Sequence, residues 1–309
     1  MNQEQQTACP DRLIQSIASE GMLRITIIEA TALVREARRV HGLSRVATAA
    51  LGRQLMMTAM MAADLKHEDD KISTILKGNG PAGSMICTGN AALEVKGSVT
   101  NGASELPPTP ESKLDVGGFV GHEGKLTVVS DMGLKEPYVG VSNLVSGEIA
   151  VDFAQYYAVS LQRPALIYLG VRVNAESGEV LAAGGVFAEP MPGCPDELID
   201  RLQQKSEEIS ALSKKLVEGE TADAFLQRVF RDLDLEIISE REPRYVCDCS
   251  RKRIEQALIA TGAEELRDMM ENDHGATVTC RFCDRSYAFT EEDLRELIKT
   301  ASGNEDEDS

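Results

Sequence analysis

Residues 247–283 read CDCSRKRIEQALIATGAEELRDMMENDHGATVTCRFC, and this stretch decides how the chain is interpreted. It begins with Cys247 and Cys249 and ends with Cys280 and Cys283, so thirty residues separate two close cysteine pairs. A segment of that length can fold back and bring four thiolates to the corners of a tetrahedron, as closed structural zinc sites require. The spacing therefore predicts a zinc site with these four cysteines as its ligands.

The residues between the two pairs favour a compact zinc-binding fold. Apolar spacing predicts helices over 251–260 and 264–270, with a break at Gly262. Residues 278–289 are typical of a hairpin, which would carry the second cysteine pair on its turn. His274 is a further possible ligand, but four cysteines already fill a tetrahedral site, so a solvated loop position is favoured for this histidine.

Two alternatives to a redox-active zinc site stay open at this point. Structural disulfides are one, although residues 1–10 are polar and lack the apolar core of a signal peptide. We therefore expect a cytoplasmic protein, in which thiols stay reduced and bind metal. The other alternative is a zinc site that only staples a small domain, and the spacing alone does not exclude it.

The chemistry of closely spaced cysteines favours a switch over a simple staple. Zinc holds its cysteine ligands as thiolates, which is the form that peroxide and hypochlorous acid oxidise. Cysteines separated by one or two residues can close small, strained disulfide loops that are readily reduced again. Structural zinc also supplies on the order of 10 kcal/mol of folding free energy, so loss of the metal would unfold the segment between the pairs.

With these motifs, the sequence resembles the Hsp33 family, the redox-regulated heat-shock chaperones of bacteria. The resemblance covers nearly the whole chain, and its most specific part is the arrangement of the four cysteines. The stretches that carry it are CDCSRKR (247–253), MME (269–271), VTCRFC (278–283), YAF (287–289), VHGLS (40–44) and KGNGP (77–81).

The resemblance implies a stress-response chaperone of the holdase type, which works without ATP and is not an enzyme. Oxidation is expected to join Cys247 with Cys249 and Cys280 with Cys283, release zinc and unfold the C-terminal region. The apolar surface exposed in this way would bind unfolding client proteins and prevent their aggregation. By the same resemblance, the oxidised protein is expected to be a homodimer, and the region after residue 190 is expected to be a metastable linker.

The order of strand and helix patterns predicts an α+β fold, because strands and helices do not alternate regularly. Within the first domain, Thr31 is expected to cap a helix that Gly42 ends. Beyond the Pro-rich and Gly-rich stretch 190–195, one amphipathic helix over 196–217 and a second over 221–233 are predicted. The predicted divisions are an α+β core domain (1–189), a helical linker (190–234), a zinc-binding redox-switch domain (235–300) and a disordered acidic tail (301–309).

Two motifs in the first domain have simple structural interpretations. The Met-rich run 56–61 can form a promiscuous binding surface, but its helical spacing favours a buried core helix. Residues 78–83 match the letters of a dinucleotide-binding fingerprint, yet a strand pattern follows them where a phosphate site needs a helix. We therefore expect an ordinary Gly-rich turn there.

Composition excludes two classes of partner. The net charge of −18 argues against a general nucleic-acid binder, because attraction to phosphates needs a basic surface. No apolar run has the length of a membrane span, so no membrane association is expected.

The main alternative function is a constitutive zinc-stapled interaction module, for which zinc removal would only destroy function. An enzyme is a third possibility, either a zinc hydrolase or a thiol oxidoreductase that uses Cys280 and Cys283. Catalytic zinc keeps an open position, and a thioredoxin-like motif starts a helix, so neither pattern fits. The remaining cysteines, Cys9, Cys87 and Cys194, are interpreted as ordinary thiols whose replacement leaves zinc binding intact.

Overall fold

The computed structural model describes residues 10–305 and confirms the predicted α+β class. The chain divides into two compact units, residues 10–246 and residues 247–305. Cys9 and residues 306–309 of the predicted acidic tail lie outside the described residues. Within the described range, every helix is too short or too polar to cross a lipid bilayer.

Two sheets form the framework of the first unit. A five-stranded antiparallel sheet has the order β10-β1-β2-β9-β8, and a six-stranded sheet has the order β11-β5-β4-β3-β6-β7, antiparallel except where β11 joins β5. The strands are β1 Arg12–Ala18, β2 Leu23–Glu29, β3 Lys71–Gly78, β4 Ser84–Asn90, β5 Glu94–Val99, β6 Gly124–Asp131, β7 Tyr138–Asn143, β8 Leu166–Val173, β9 Val180–Pro190, β10 Glu236–Arg241 and β11 Arg244–Tyr245.

Eight helices accompany these sheets in residues 10–246. They are α1 Thr31–His41, α2 Arg45–Ala62, α3 Val116–Val120, α4 Ile149–Val159, α5 Asp196–Gln204, α6 Ser206–Ser210, α7 Leu212–Val217 and α8 Ala222–Phe230. Helix α2 contacts strands of both sheets and is buried on nearly all sides. Met56 and Met57 are fully buried in it, so the predicted core role of the Met-rich run is confirmed. Ser44 caps this helix by accepting a hydrogen bond from the backbone N–H of Ala47.

The start of α1 differs from the prediction. Thr31 is the first residue of the helix, and its hydroxyl accepts a hydrogen bond from the Ala183 N–H. The helix N-terminus is capped by Asp11 instead, whose two carboxylate oxygens accept from Ala32 N at 2.9 Å and Leu33 N at 2.7 Å. A carboxylate suits this position because its charge faces the positive end of the helix dipole.

The Gly-rich turn at 78–83 connects β3 to β4, as predicted, and has a packing explanation. A Cβ atom at Gly80 would lie 2.5 Å from the carbonyl oxygen of Phe119, and one at Gly78 would lie 2.0 Å from that of Val120. The turn also donates hydrogen bonds to these two carbonyl groups, from Gly80 N and Ala82 N. The glycines therefore permit close approach to α3 and do not form a phosphate site.

The predicted single helix over 196–217 is wrong, because three short helices occupy this range. The helix is interrupted twice, at Lys205 after α5 and at Ala211 after α6. The hydroxyls of Ser206 and Ser210 donate to carbonyl groups three residues earlier. Such bonds compete with regular helical hydrogen bonding and bend the segment.

Residues 196–233 cover one face of the five-stranded sheet, and we call this segment the linker cover. It ends with a short 3-10 turn, Arg231–Leu233, after α8. A hydrophobic cluster separate from the main core joins the cover to the sheet. The cover contributes Leu202, Ile209, Leu212, Phe225, Leu226, Val229, Phe230 and Leu233, and the sheet contributes Ile14, Ala18, Leu23, Ile25, Ile27, Val186 and Ala188.

Residues 235–246, which the sequence analysis placed with the zinc-binding domain, belong to the first unit. Strand β10 pairs with β1, and β11 pairs with β5. The hydroxyl of Tyr245 also donates to the Gly97 carbonyl group at 2.9 Å. The pairing of β10 could not be predicted from local sequence, because β1 lies near the other end of the chain.

The second unit begins at the first cysteine and follows the predicted order. Helix α9 (Arg251–Ile259) and helix α10 (Ala263–Glu271) precede a hairpin of β12 (Gly275–Thr279) and β13 (Ser286–Thr290). A last helix, α11 (Glu291–Glu305), extends into the range predicted as tail. The core of this unit is small, and its buried residues are Leu258, Ala263, Leu266, Phe289, Leu294 and Ala301.

Candidate metal centre

The first cysteine pair lies immediately before a helix, as the sequence predicted. Ser250 is the N-cap of α9, and its hydroxyl accepts a hydrogen bond from the Arg253 N–H at 3.3 Å. This cap fixes where the helix begins. It thereby sets the position of Cys249, the residue before it.

The second pair lies on the tight turn between β12 and β13. The N–H of Cys280 donates to the Arg285 carbonyl group at 2.9 Å, which closes the hairpin. Within the turn, the N–H of Asp284 donates to the Cys280 carbonyl group at 2.9 Å, and Asp284 adopts a positive φ of 56°. This backbone arrangement turns Cys280 and Cys283 toward the same point.

The structure brings all four predicted ligands together. The sulfur atoms of Cys247, Cys249, Cys280 and Cys283 all lie within 4.8 Å of one another. Four sulfurs bound to one tetrahedral zinc ion at about 2.3 Å would be about 3.8 Å apart. The set therefore fits a four-coordinate thiophilic ion such as zinc. Among the described side chains, it is the one group of three or more potential ligands.

Two short sulfur–sulfur distances join cysteines of different sequence pairs. Cys249 Sγ lies 3.3 Å from Cys283 Sγ, and Cys247 Sγ lies 3.6 Å from Cys280 Sγ. Contacts between the two pairs are expected of four ligands at the corners of one tetrahedron.

Burial and hydrogen bonding make the thiols unequal. Burial is the largest influence on Cys247 and raises its pKa, and hydrogen bonds with the other three cysteines raise it further. Burial also acts to raise the pKa of Cys249, but hydrogen bonds with Tyr287 and the other cysteines outweigh it and lower this pKa to about 7. Cys249 is therefore readily available near neutral pH as the thiolate that a metal binds.

Tyr287 is a neighbour of the site that the sequence analysis did not assign a role. Its hydroxyl oxygen lies 3.1 Å from Cys249 Sγ. In β13, Tyr287 pairs with Val278 of β12, two residues before Cys280. The predicted hairpin could have pointed to Tyr287, because it places this residue beside the strand that leads into the second cysteine pair.

Arg251 joins the beginning of α9 to the rest of the unit. Its guanidinium carbon lies 4.4 Å from the centroid of the Phe289 ring, and Nη1 donates to the Ala288 carbonyl group at 2.8 Å. Nη2 forms an ion pair with Asp293 of α11 at 3.0 Å. These contacts hold the helix that follows the first cysteine pair against the strand that follows the second.

The other candidate residues lie away from this centre. His274 is exposed, and its Nδ1 lies 2.9 Å from Glu291 Oε1, consistent with the predicted loop position. Cys87 is buried in the main core of the first unit, where burial raises its pKa well above the usual range. Cys194 is partly exposed between β9 and α5, and Cys9 lies outside the described residues.

Comparison with known proteins gives consistent matches along the chain. The family model described as "Hsp33 protein" matches residues 11–290. The 33 kDa chaperonin of Acetivibrio thermocellus is 41% identical over 289 residues, covering 94% of this chain and 97% of that protein. The 33 kDa chaperonin of Enterococcus faecalis is 40% identical over 294 residues, covering 95% and 98%.

A solved structure shares both sequence and fold with the chain. The crystal structure of the 33 kDa chaperonin (heat shock protein 33 homolog) from Thermotoga maritima matches with a TM-score of 0.85 and 33% sequence identity. The match covers 96% of this chain and all of that one. The two units described above are thus compared over nearly their full length.

Proposed function

Because the chain belongs to the Hsp33 family, we propose that it is an ATP-independent holdase chaperone that oxidation of its four clustered cysteines activates. The observation that carries this proposal is the set of four sulfur atoms within 4.8 Å of one another. They lie in a unit whose own apolar core is small. We expect the protein to work in a reducing cytoplasm that comes under oxidative stress, because a reducing compartment keeps such thiols free to bind metal.

In the reduced protein, Cys247, Cys249, Cys280 and Cys283 would hold one zinc ion. Bound zinc keeps the four sulfurs as thiolates and adds folding free energy on the order of 10 kcal/mol. The buried residues of the second unit cannot supply a comparable contribution alone, since small domains usually depend on a metal or disulfides. We therefore expect this unit to fold only while its cysteines bind metal.

Oxidation removes the ligands in two steps of the same kind. In each step, two thiolates lose two electrons and form one S–S bond, while one hydrogen peroxide molecule takes up two electrons and two protons and becomes two water molecules. We propose that the products are the disulfides Cys247–Cys249 and Cys280–Cys283, following the family resemblance. Disulfide sulfurs no longer bind the metal, so the second unit unfolds.

The sheet face beneath the linker cover offers a surface for unfolding proteins. It packs on sheet residues that include Ile25, Ile27 and Val186, all fully buried beneath it. Release of the cover would expose these side chains as a contiguous apolar face, which is typical of a protein-binding surface. We propose that this face binds clients, that raised temperature assists the release, and that the active form is a homodimer.

The charge of the chain suits this role. A net charge of −18 keeps a protein with exposed apolar surface dispersed and disfavours binding to nucleic acids. We therefore expect the partners to be unfolding proteins and a second copy of the chain. We also propose that the protein has no catalytic activity of its own.

The decisive experiment measures light scattering from a thermally unfolding client together with zinc release. Reduced zinc-loaded protein is compared with protein treated with peroxide at raised temperature, and Cys194→Ser serves as a control outside the cluster. We expect aggregation to be suppressed only after zinc release, with reductant and zinc restoring the inactive state. Disulfide mapping of the same samples tests the proposed pairing.

Two other outcomes would favour a different function. If zinc leaves and the client still aggregates, the protein is better described as a constitutive zinc-stapled interaction module. Sustained reduction of insulin by catalytic amounts of the protein would instead indicate a thiol oxidoreductase.

A further inference from the structure

The hydroxyl of Tyr287 is held beside one ligand sulfur of the metal centre. Its oxygen lies 3.1 Å from Cys249 Sγ, which is within hydrogen-bonding distance for sulfur. The tyrosine ring packs against the small core of the second unit. Its backbone is fixed in the β12–β13 hairpin by pairing with Val278. The hydroxyl is therefore positioned by the fold and not by chance contact of a free side chain.

The direction of this hydrogen bond follows from the state of the sulfur. A metal-bound cysteine has no proton on its sulfur, so Cys249 can only accept and the Tyr287 hydroxyl must donate. Arg285 lies beside the Tyr287 side chain. Because a guanidinium group has no acceptor, Arg285 cannot accept the hydroxyl proton in place of Cys249.

A hydrogen bond to a thiolate changes its reactivity. The donor draws electron density from the sulfur lone pairs, and these are the electrons that attack peroxide. Hydrogen bonds to metal-bound sulfur likewise tune the properties of the metal centre from outside its ligands. A donor fixed at Cys249 would therefore slow oxidation while leaving the ligand set unchanged.

We propose that Tyr287 is a positioning residue that slows oxidation of the metal-bound Cys249 by donating a hydrogen bond to its sulfur. The inference rests on the proposed redox function and adds a residue that sets its threshold. With this hydrogen bond, low background levels of peroxide leave the four cysteines reduced and bound to zinc. Without it, the same cysteines would respond to less oxidant.

The test is Tyr287→Phe in the full-length zinc-loaded protein, because phenylalanine keeps the ring and removes only the hydroxyl. Zinc release is followed with a metal-binding dye as a function of peroxide concentration. A hydrogen bond to a charged group is worth enough to change a rate about tenfold, so we expect release to be about tenfold faster at each concentration. Tyr138→Phe is the matched control, since Tyr138 is an exposed tyrosine of β7 in the six-stranded sheet, whereas the linker cover packs on the five-stranded sheet.

A second readout separates loss of the hydrogen bond from general loosening of the unit. Zinc release driven by a chelator without oxidant should change by less than about twofold in Tyr287→Phe, because the four ligands remain. In the cobalt-substituted protein, the sulfur-to-cobalt charge-transfer band should move to lower energy, because the Cys249 sulfur gives up an electron more easily without its donor.

Several results would overturn the inference. Equal rates of peroxide-driven release in Tyr287→Phe and the unaltered protein would do so, as would equal acceleration of the chelator-driven rate. Failure of the variant to retain zinc would also contradict it, because the role assigned to Tyr287 is not needed for metal binding. These zinc measurements do not depend on client binding. The holdase proposal can therefore fail while this inference stands, and this inference can fail while the holdase proposal stands.

Discussion

Lys205 Nζ and Asp232 Oδ1 lie 2.7 Å apart, so an ion pair joins the residue that follows α5 to the 3-10 turn that ends the linker cover. Arg201 strengthens this connection by donating to Asp232 Oδ2 at 2.9 Å. Burial acts to raise the pKa of Asp232, but the hydrogen bonds from Lys205 and Arg201 outweigh it and lower this pKa to about 2. The pair is therefore ionised at neutral pH, and its contribution to stability is lost only as the pH falls from about 4 toward 2.

Replacing Asp232 with Asn should make the linker cover open more easily. Ion pairs of this exposure contribute at most about 1 kcal/mol, which corresponds to a decrease of roughly 2–4 °C in the temperature at which the cover opens. Limited proteolysis of the reduced protein across a temperature range measures this opening. Glu218→Gln is the control, because the Lys215–Glu218 pair lies within a single turn of the cover. Identical protease sensitivity of both variants would argue against the role of Asp232.

Truncation of Phe225 should uncouple chaperone activity from zinc release. Phe225 is fully buried between the cover and the sheet, and Phe→Ala changes at such sites cost about 3–5 kcal/mol. We expect Phe225→Ala to suppress client aggregation while still reduced and zinc-loaded, as measured by light scattering and zinc content. Phe153→Ala, an equal truncation in the main core, should destabilise the first unit without this gain. Inactivity of reduced Phe225→Ala would place the client surface elsewhere.

Loss of one ligand should unfold the second unit alone. Cys280 is the buried member of the cluster, and Cys280→Ser leaves three sulfurs for a site that needs four. We expect zinc content to fall close to zero and the helical signal of α9 to α11 to disappear in circular dichroism. The first unit has its own cores and should keep its cooperative unfolding transition. Full zinc occupancy in Cys280→Ser would contradict the proposed ligand set.

Protonation of the buried Asp11 side chain should make the first unit more stable in mild acid than at neutral pH. Burial raises the pKa of Asp11 to about 6, above its value of 3.8 in an unfolded chain, although hydrogen bonds from Ala32 and Leu33 lower it. The folded state therefore binds more protons than the unfolded state between about pH 4 and 6, and stability falls as the pH rises through that window.

Urea unfolding at pH 4.5 and pH 7.5 measures this effect in the unaltered protein and in Asp11→Asn. The asparagine has no charge to titrate, so the two curves should differ in pH dependence by on the order of 2 kcal/mol. The comparison between the variants cancels all other titrating groups. Parallel pH dependence in both proteins would show that Asp11 is ionised throughout the range.

The three cysteines outside the cluster should be dispensable for metal binding. We expect Cys9→Ser and Cys194→Ser to retain full zinc content and unchanged peroxide sensitivity. Cys87 is fully buried near Thr58, so Cys87→Ala avoids placing a new hydroxyl group in the core. The combined variant should release as much zinc on oxidation as the unaltered protein, and a reduced amount would assign one of these thiols to the switch.

The local patterns of the sequence predicted most elements and all members of the cysteine cluster. The pattern of residues 278–289 indicated the β12–β13 hairpin, and helical spacing at the Met-rich run indicated α2. The cysteine spacing was sufficient because a metal imposes its own geometry on whichever ligands surround it. In these cases, the deciding interactions lie close together in sequence or are fixed by simple coordination chemistry.

The missed features depend on contacts between distant parts of the chain. Asp11 caps α1 through Ala32 and Leu33, although β1 and β2 separate it from this helix in the sequence. The local pattern therefore pointed to Thr31 as the cap. Strand β11 has only two residues, and its pairing with β5 cannot be read from so short a pattern. The hydroxyl of Tyr287 reaches Cys249 only after the hairpin and α9 have packed together.

The linker cover is inserted between β9 and β10, two strands of the same five-stranded sheet. Once detached, it remains tethered at both ends beside the surface that it left. A short flexible tether of this kind keeps a segment at an effective concentration in the millimolar range. On the proposed function, the detached cover would compete with a bound client for the same sheet face. Once reductant and zinc restore the second unit, this tethered segment would favour release of the client without ATP.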